Sequence, residues 1–388
     1  MLNFVHIGIG QCGNRFAEQF GSRNRTALAI NTARVDMSSL DSKAISPKNQ
    51  LHIALDGLKD GAGRDPEIGC KSMEANLDMI CEAVRRATRE KPADRIVLWA
   101  GLGGGTGTGG VLPLMKRLAG EGYKVVLGLT LPKKKEGWVV RMNAIKALTN
   151  IINEFEANPK VIVPYIVIDN EKIMGGLDSQ NEAIAYDLTR FVNATTNVPA
   201  ASAFDDTDFS RLLSYRGMLT VVRAKVPLEA VKGGDAFADA VKEAWSKSLY
   251  AKFSAEEATG AALLVIVPDK FLAAKGNKEL IEGNIEGVEA LYPHANPYSC
   301  IYAAKNEEMN GIYIYSLLTG LPAPDENLDE IYDDVSERIS EDKERRRERK
   351  KAERQSRAKR RLFDYDPNAI DDDDDDGLTA LGEESYNI

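Results

Sequence analysis

Two glycine-rich stretches hold the residues whose types and spacing bear on chemistry. The denser one is Gly101-Leu102-Gly103-Gly104-Gly105-Thr106-Gly107-Thr108-Gly109-Gly110, between apolar runs at 96–100 and 111–115. Glycines let backbone N–H groups converge with no Cβ in the way. A helix start adds its own unpaired N–H groups and the positive end of its dipole. Strand, glycine loop and helix in that order form a cradle for a polyphosphate. The other stretch is Gly8-Ile9-Gly10-Gln11-Cys12-Gly13-Asn14, which contains the spacing GxGxxG. Alone it reads equally as a tight packing turn or a dinucleotide loop. The dinucleotide reading needs an acid about 20 residues on, at the end of the second strand. Asn31-Thr32 stands there, and Asp36 falls inside the following helix. A nicotinamide site would also leave the denser loop unexplained. The chain has no GxxxxGK[ST], so it is not a P-loop protein.

Alternating elements must position these loops. Residues 4–9, 27–30, 51–55, 96–100, 125–130 and 161–168 read as strands. Helices are expected after the loop ending at Asn14 through about Phe20, from Pro66 at its N1 position to about Arg89, and from about Val140 to Phe155. This alternation implies a doubly wound parallel sheet with its loops gathered at the strands' C-terminal ends. A helix opening near Asn181 reads as a connector, followed by an acidic turn with Asp205, Asp206 and Asp208. Strands at 218–224, 261–267, 299–303 and 311–317 and helices at 237–250 and 278–292 then form an α+β block without a glycine loop.

Composition narrows the class. At 388 residues the chain has room for two domains and a tail. No apolar run approaches the roughly 20 residues of a membrane helix. The N-terminal stretch lacks the basic flank and cleavage site of a signal peptide. Four scattered cysteines, with no CxxC spacing, suggest a reducing cytosol, with neither a disulfide framework nor a zinc site. Three dispersed histidines form no metal motif. The net charge of −9 argues against nonspecific nucleic-acid binding by the whole chain. Residues 325–334 are acidic and 341–361 are dense in Arg, Lys and Glu. The latter can be helical through i,i+4 ion pairs but bury no face. Asp371–Asp376 is an unbroken acidic run, expected to stay extended. The tail is therefore expected to be partly disordered.

Several ordered motifs together resemble the tubulin/FtsZ superfamily of polymerising GTPases. GGGTGTGG at 103–110 is similar to its signature loop, GQCGN at 10–14 to the tubulin form of the first nucleotide loop, and GAGRDPEIG at 61–69 to the FtsZ form of the γ-phosphate loop. The resemblance spans about residues 1–322. It implies an α/β fold: a doubly wound parallel-sheet GTPase domain (1–177), a central connecting helix (178–200), a catalytic loop with an α+β C-terminal domain (201–322) and a charged tail (323–388). It also implies GTP or GDP as ligand, with Mg²⁺ following from triphosphate chemistry and no dedicated protein ligand for it.

By the same resemblance, Gly10, Gln11, Cys12 and Asn14 contact the α- and β-phosphates and the ribose side. Asn31 lies near the nucleotide. Ala62, Gly63 and Arg64 sense the γ-phosphate. Gly104, Gly105, Thr106, Gly107 and Thr108 wrap the phosphates. Pro132, Glu136 and Arg141 belong to the ribose-facing loop, where PxxxEG…NA, ending at Asn143-Ala144, is similar to the archaeal CetZ form. Asn181 matches the asparagine whose amide pairs with guanine O6 and N1–H or N2–H₂; Leu177 takes the place of a stacking aromatic. Asp208, with Asp205 beside it, matches the acidic loop that reaches the nucleotide of the next subunit and polarises the attacking water. Arg211 replaces the second acid of that pattern.

The implied activity is GTP hydrolysis completed between adjacent subunits of a head-to-tail filament. The TubZ type, which partitions plasmid or phage DNA, is the first expectation. A CetZ- or FtsZ-type shape or division filament is the second, and a Rossmann oxidoreductase the third. The tail is expected to dock an adaptor, an adaptor–DNA complex or a neighbouring subunit, in a cytoplasmic protein without membrane insertion.

Overall fold

The computed structural model of the protein describes residues 3–55, 60–173, 176–194, 206–305 and 309–363. The parallel half runs β1 (Phe4–Ile9), α1 (Gly10–Gly21), β2 (Thr26–Asn31), α2 (Arg34–Ser38), β3 (Gln50–His52), α3 (Pro66–Ala75) and α4 (Leu77–Glu90). It continues with β4 (Arg95–Gly101), α5 (Thr106–Gly120), β5 (Val125–Leu131), α6 (Trp138–Ala157), β6 (Tyr165–Asp169) and α7 (Leu177–Ala194). The second half is α8 (Asp206–Leu212), β7 (Met218–Pro227), α9 (Ala236–Ser246), β8 (Gly260–Pro268), α10 (Asp269–Leu272), α11 (Asn277–Glu289), β9 (Asn296–Ala304), β10 (Gly311–Leu321) and α12 (Asp325–Phe363).

All ten strands join one sheet in the order β3-β2-β1-β4-β5-β6-β7-β10-β8-β9. β1 to β6 are parallel. Their near-continuous Val, Ile and Leu are buried on both faces, as a sheet covered by helices requires. β10 pairs antiparallel with β7 and β8. The second block therefore extends the first sheet. The two halves meet at one register pair, Tyr165↔Met218. Farther along β6 the edge is taken by residues 249–251: Asp169 N–H donates to Leu249 O at 2.8 Å and Ala251 N–H to Val167 O at 2.8 Å.

Several expected boundaries shift. The helix over 66–89 is two helices broken at Asn76, whose φ of −116° and ψ of 8° leave the helix while its Nδ2 donates to Ser72 O. The strand at 161–168 begins only at Tyr165, after Pro164. The helix expected to reach Tyr250 stops at Ser246, because Tyr250 bridges to Ile168. The acidic stretch at 325–334 is the start of α12 and packs against the body. Asn327, Ile331 and Val335 are buried along one stripe, and the Asn327 amide accepts from Lys252 N–H and donates to Asp169.

Met1–Ser336 forms one compact unit and Glu337–Ile388 another. In the second unit α12 continues as an exposed helix carrying i,i+4 pairs such as Arg349–Glu353 at 2.9 Å. The acidic run at 371–376 lies outside the described residues. Among the described residues no helix is long and apolar enough to cross a membrane, and Cys12, Cys70, Cys81 and Cys300 are all free thiols.

Candidate functional site

The strand order 3-2-1-4-5-6 reverses direction between β1 and β4, and the crevice beyond their C-terminal ends is where such sheets take ligands. Both glycine loops lie there. α1 starts directly at Gly10 and α5 at Thr106, and neither start carries a side-chain cap or a first-turn acid. The two helix starts touch: a Cβ on Gly10, whose φ is +70°, would lie 3.0 Å from Gly107 N, and one on Gly107 would lie 3.0 Å from Ile9 O. Two uncapped positive helix ends converging on one point form a strong anion site.

The surrounding glycines separate into two kinds. A Cβ on Gly105 would strike the Ala62 Cβ at 2.6 Å, and one on Gly109 the Pro66 carbonyl at 1.9 Å. These positions are glycine because backbones abut. A Cβ on Gly104 or Gly63 would meet nothing within 4 Å. No neighbouring atom requires glycine at those two positions, which border the open cradle, although the φ of +58° at Gly63 favours it.

Hydrogen bonds fix the loop shapes. The Thr106 hydroxyl lies 2.6 Å from that of Thr32 and 3.4 Å from the Asn31 Oδ1. The Asn31 Oδ1 also accepts from Ala33 N–H at 3.2 Å, and its Nδ2 donates to Asp36 at 3.1 Å. Asn31 is buried, and its side chain orders the β2 end. Thr108 Oγ1 accepts from Gly103 N–H at 2.7 Å. The two threonines therefore brace the glycine loop, with Gly103 held at φ +119°. Asn14 is 1% exposed; its Oδ1 accepts from Ile30 N–H, while its Nδ2 has no partner. Cys12 Sγ lies 3.5 Å from the Thr130 hydroxyl, and burial pushes its thiol pKa up. The negative charge of Glu136 also raises it, after the larger effect of burial.

The loop at 61–65 enters α3 through an N-cap: Asp65 accepts from Glu67 N–H at 2.8 Å and Pro66 takes N1. Arg64 just before it adopts φ +65°, an uncommon conformation for a side chain with a Cβ. Pro132 is buried and Glu136 exposed, with Glu136 Oε1 accepting from Lys133 N–H at 2.7 Å. Asn181 is buried in the second turn of α7, and Leu177 opens that helix exposed. Arg141 takes another direction. It lies on the core-facing stripe of α6, is 1% exposed and pairs with Asp334 of α12.

The candidate acid is far from this cluster. Asp208 is half-buried on α8. The next residue, Phe209, packs its ring 6.0 Å from Phe4, the first residue of β1, and 5.7 Å from Phe191. Arg95, the first residue of β4, donates to Ser210 O at 3.0 Å. α8 thus sits at the N-terminal end of the strands whose C-terminal ends carry the glycine loops. The six residues of β1 separate the two ends by roughly 20 Å. Arg211 donates to the Tyr298 hydroxyl at 3.0 Å. Asp205 lies outside the described residues.

Sequence reasoning passed over Thr32 and gave Asn143 no role. Both act through bonds to residues 40 or more positions away, which leave no local pattern. Asp65 was likewise given no capping role, although an Asp directly before a Pro at N1 is a helix-start signal.

Residues 3–178 match the model of the Tubulin/FtsZ family, GTPase domain. The chain is 24% identical over 369 residues to the tubulin-like protein TubZ of Bacillus cereus, covering 86% of this chain and 82% of that one. It is 35% identical over 204 residues to the tubulin-like protein CetZ2 of Haloferax volcanii, covering 47% of this chain and 52% of that one. A crystal structure of a GTPγS-form protofilament of Bacillus thuringiensis serovar israelensis TubZ superposes with a TM-score of 0.72 at 19% identity, covering 89% of this chain and 94% of that one.

Proposed function

We infer that this chain, whose residues 3–178 match the model of the Tubulin/FtsZ family, GTPase domain, is a GTP-binding, GTP-hydrolysing cytoskeletal protein that polymerises head to tail. One observation carries this reading. The anion cradle and the acid-bearing helix α8 occupy opposite ends of the same strands, so a single subunit does not close its own site. A second copy translated along the strand direction brings its α8 to the cradle of the first.

In this arrangement the first-turn N–H groups of α1 and α5 hold the phosphates, and the loop at 61–65 faces the γ-phosphate. Cys12 and Glu136 border the ribose. The Asn181 amide donates to guanine O6 and accepts from a guanine N–H, a pattern adenine does not match. Asp208 of the neighbouring subunit orients a water for in-line attack and favours loss of its proton as the terminal phosphoryl group transfers to it. Mg²⁺ accompanies the triphosphate.

Hydrolysis per subunit is expected to rise steeply with protein concentration, and Asp208→Asn to lower it by about 10²-fold or more, the scale of a positioned acid–base group, while GTP still binds. A per-subunit rate that stays flat through a dilution series, under conditions that support filaments, refutes the shared site.

The biological reading is partition of plasmid or phage DNA in the cytoplasm, with the tail docking an adaptor. The TubZ relative supports this by matching along most of the chain's length. The higher identity to the CetZ2 relative over a shorter span supports a shape filament as the second reading. A fluorescently tagged copy that moves with an extrachromosomal replicon favours the first. One that lines the cell envelope favours the second.

A further inference from the structure

One amide joins the two loops that border the cradle. Asn143 lies in the second turn of α6, and its Nδ2 donates to the Arg64 carbonyl at 3.2 Å and to the Gly103 carbonyl at 3.3 Å. A primary amide nitrogen carries two hydrogens, so both bonds form at once. The acceptors are unusual pieces of backbone. Arg64 has φ +65° and Gly103 φ +119°, and among the described residues the only other non-glycine at positive φ is Asn24. A left-handed residue with a side chain is strained and persists where its surroundings hold it. Gly103 is also pressed by α6, since a Cβ there would lie 2.6 Å from Val140 Cγ1.

The same two loops abut a second time where Gly105 meets Ala62 and Asp65. Between these two points of attachment each loop offers one glycine that faces open space, Gly63 and Gly104. The Asn143 amide therefore sets the spacing of two glycine-bordered walls. Neither of its two hydrogen bonds goes to a helix start that holds the inner phosphates.

We propose that Asn143 is a positioning residue that sets the gap between the 61–65 loop and the 101–105 loop for a terminal phosphate, and so separates nucleoside triphosphate from diphosphate. This inference rests on the guanine-nucleotide reading above. Its amide is committed to the two carbonyls, so it acts through the loops.

The test is titration of the full chain with GDP and with GTPγS, for the unmodified protein and for Asn143→Asp, Asn143→Ala and Asn143→Gln. Asp is isosteric, but its carboxylate repels both carbonyls; Gln keeps the donor on a longer stem. The expected result is a GDP affinity within twofold of the unmodified protein and GTPγS binding weakened about tenfold in Asp and Ala, the scale of one or two lost hydrogen bonds. Gln recovers part of the loss. Retained GDP binding shows that each variant is folded, and if Asp does not fold, Ala and Gln decide. Equal weakening of both nucleotides, or no change in either, overturns the inference. If the unmodified chain binds neither nucleotide, the guanine-nucleotide reading fails first and the inference falls with it.

Discussion

At the scale of single residues, the glycines of the cradle are not equivalent. Gly109→Ala drives a methyl into the Pro66 carbonyl, where backbone must shift. We expect a loss of about 1–3 kcal/mol, the usual cost of overpacking, read by urea denaturation. Gly104→Ala adds the same methyl to open space and to an unstrained backbone. It should leave stability within about 0.5 kcal/mol and reduce nucleotide binding instead. A Gly104→Ala protein that binds GTP normally would show that the open side of that loop is not where phosphate lies. His6 makes a different kind of prediction. It accepts from Trp99 Nε1–H at 3.1 Å, stacks on Phe20 at 3.6 Å, and has its pKa lowered to about 3 by burial and secondarily by Arg25. The unfolded chain takes up a proton near pH 6.5 that the folded chain refuses until about pH 3. Its contribution to stability is therefore full above pH 6.5 and declines as pH falls through that window, by about 1.4 kcal/mol per unit. The pH dependence of unfolding between pH 7 and 5 should be flatter in His6→Gln by that amount. The glycines of both loops were legible because phosphate binding needs consecutive residues. The commitment of Thr106 to Thr32 was not, because that bond joins residues 74 positions apart and depends on how β2 and β4 are placed on either side of β1.

At the scale of elements, α6 and α12 hold one another. Arg141 occupies the core-facing stripe of α6 with Val140, Ala144 and Leu148, a position that ordinarily takes an apolar residue. Its charge is offset by Asp334, beside the buried Ile331 and Val335. Arg141→Met removes one partner and leaves a carboxylate beside apolar surface. The loss should be about 3–5 kcal/mol, and Arg141→Met with Asp334→Leu should recover much of it. Thermal or urea unfolding of the single and double variants checks both. A double variant no more stable than the single one would mean that the pair does not couple the helices. The same elements show where sequence legibility stops. The residues of β1 were readable to their ends, since a run of six apolar-rich residues before a glycine has one interpretation. The break at Asn76 was hidden, because helix formers flank it on both sides and the side-chain bond to Ser72 that stabilises the break is itself a helix-compatible spacing. The first turns of α12 looked like solvated acid because only every third or fourth residue is apolar, and nothing local indicates that a buried arginine awaits them.

At the scale of the molecule, trypsin should report the division at Ser336. Side chains at 343–355 are almost all exposed and rich in Lys and Arg. First cleavages are expected there, leaving a body that retains GTP binding; early cuts within 4–336 would contradict the compact unit described for it. The continuous sheet carries a mechanical consequence as well. A parallel array of six strands and a mixed array of four, in which β10 runs antiparallel to β7 and β8 while β8 and β9 are parallel, are joined by one rung, Tyr165 to Met218, while the rest of the β6 edge leans on residues 249–251. In the head-to-tail row proposed above, load crosses that rung, the core that Trp99 and Ile168 share with Val221 and Tyr315, and the helix α7, which is itself fastened to both sides through Arg23–Glu182 and Asp187–Arg223. Stiffness inside each array is set by full ladders of hydrogen bonds, so compliance concentrates at the junction.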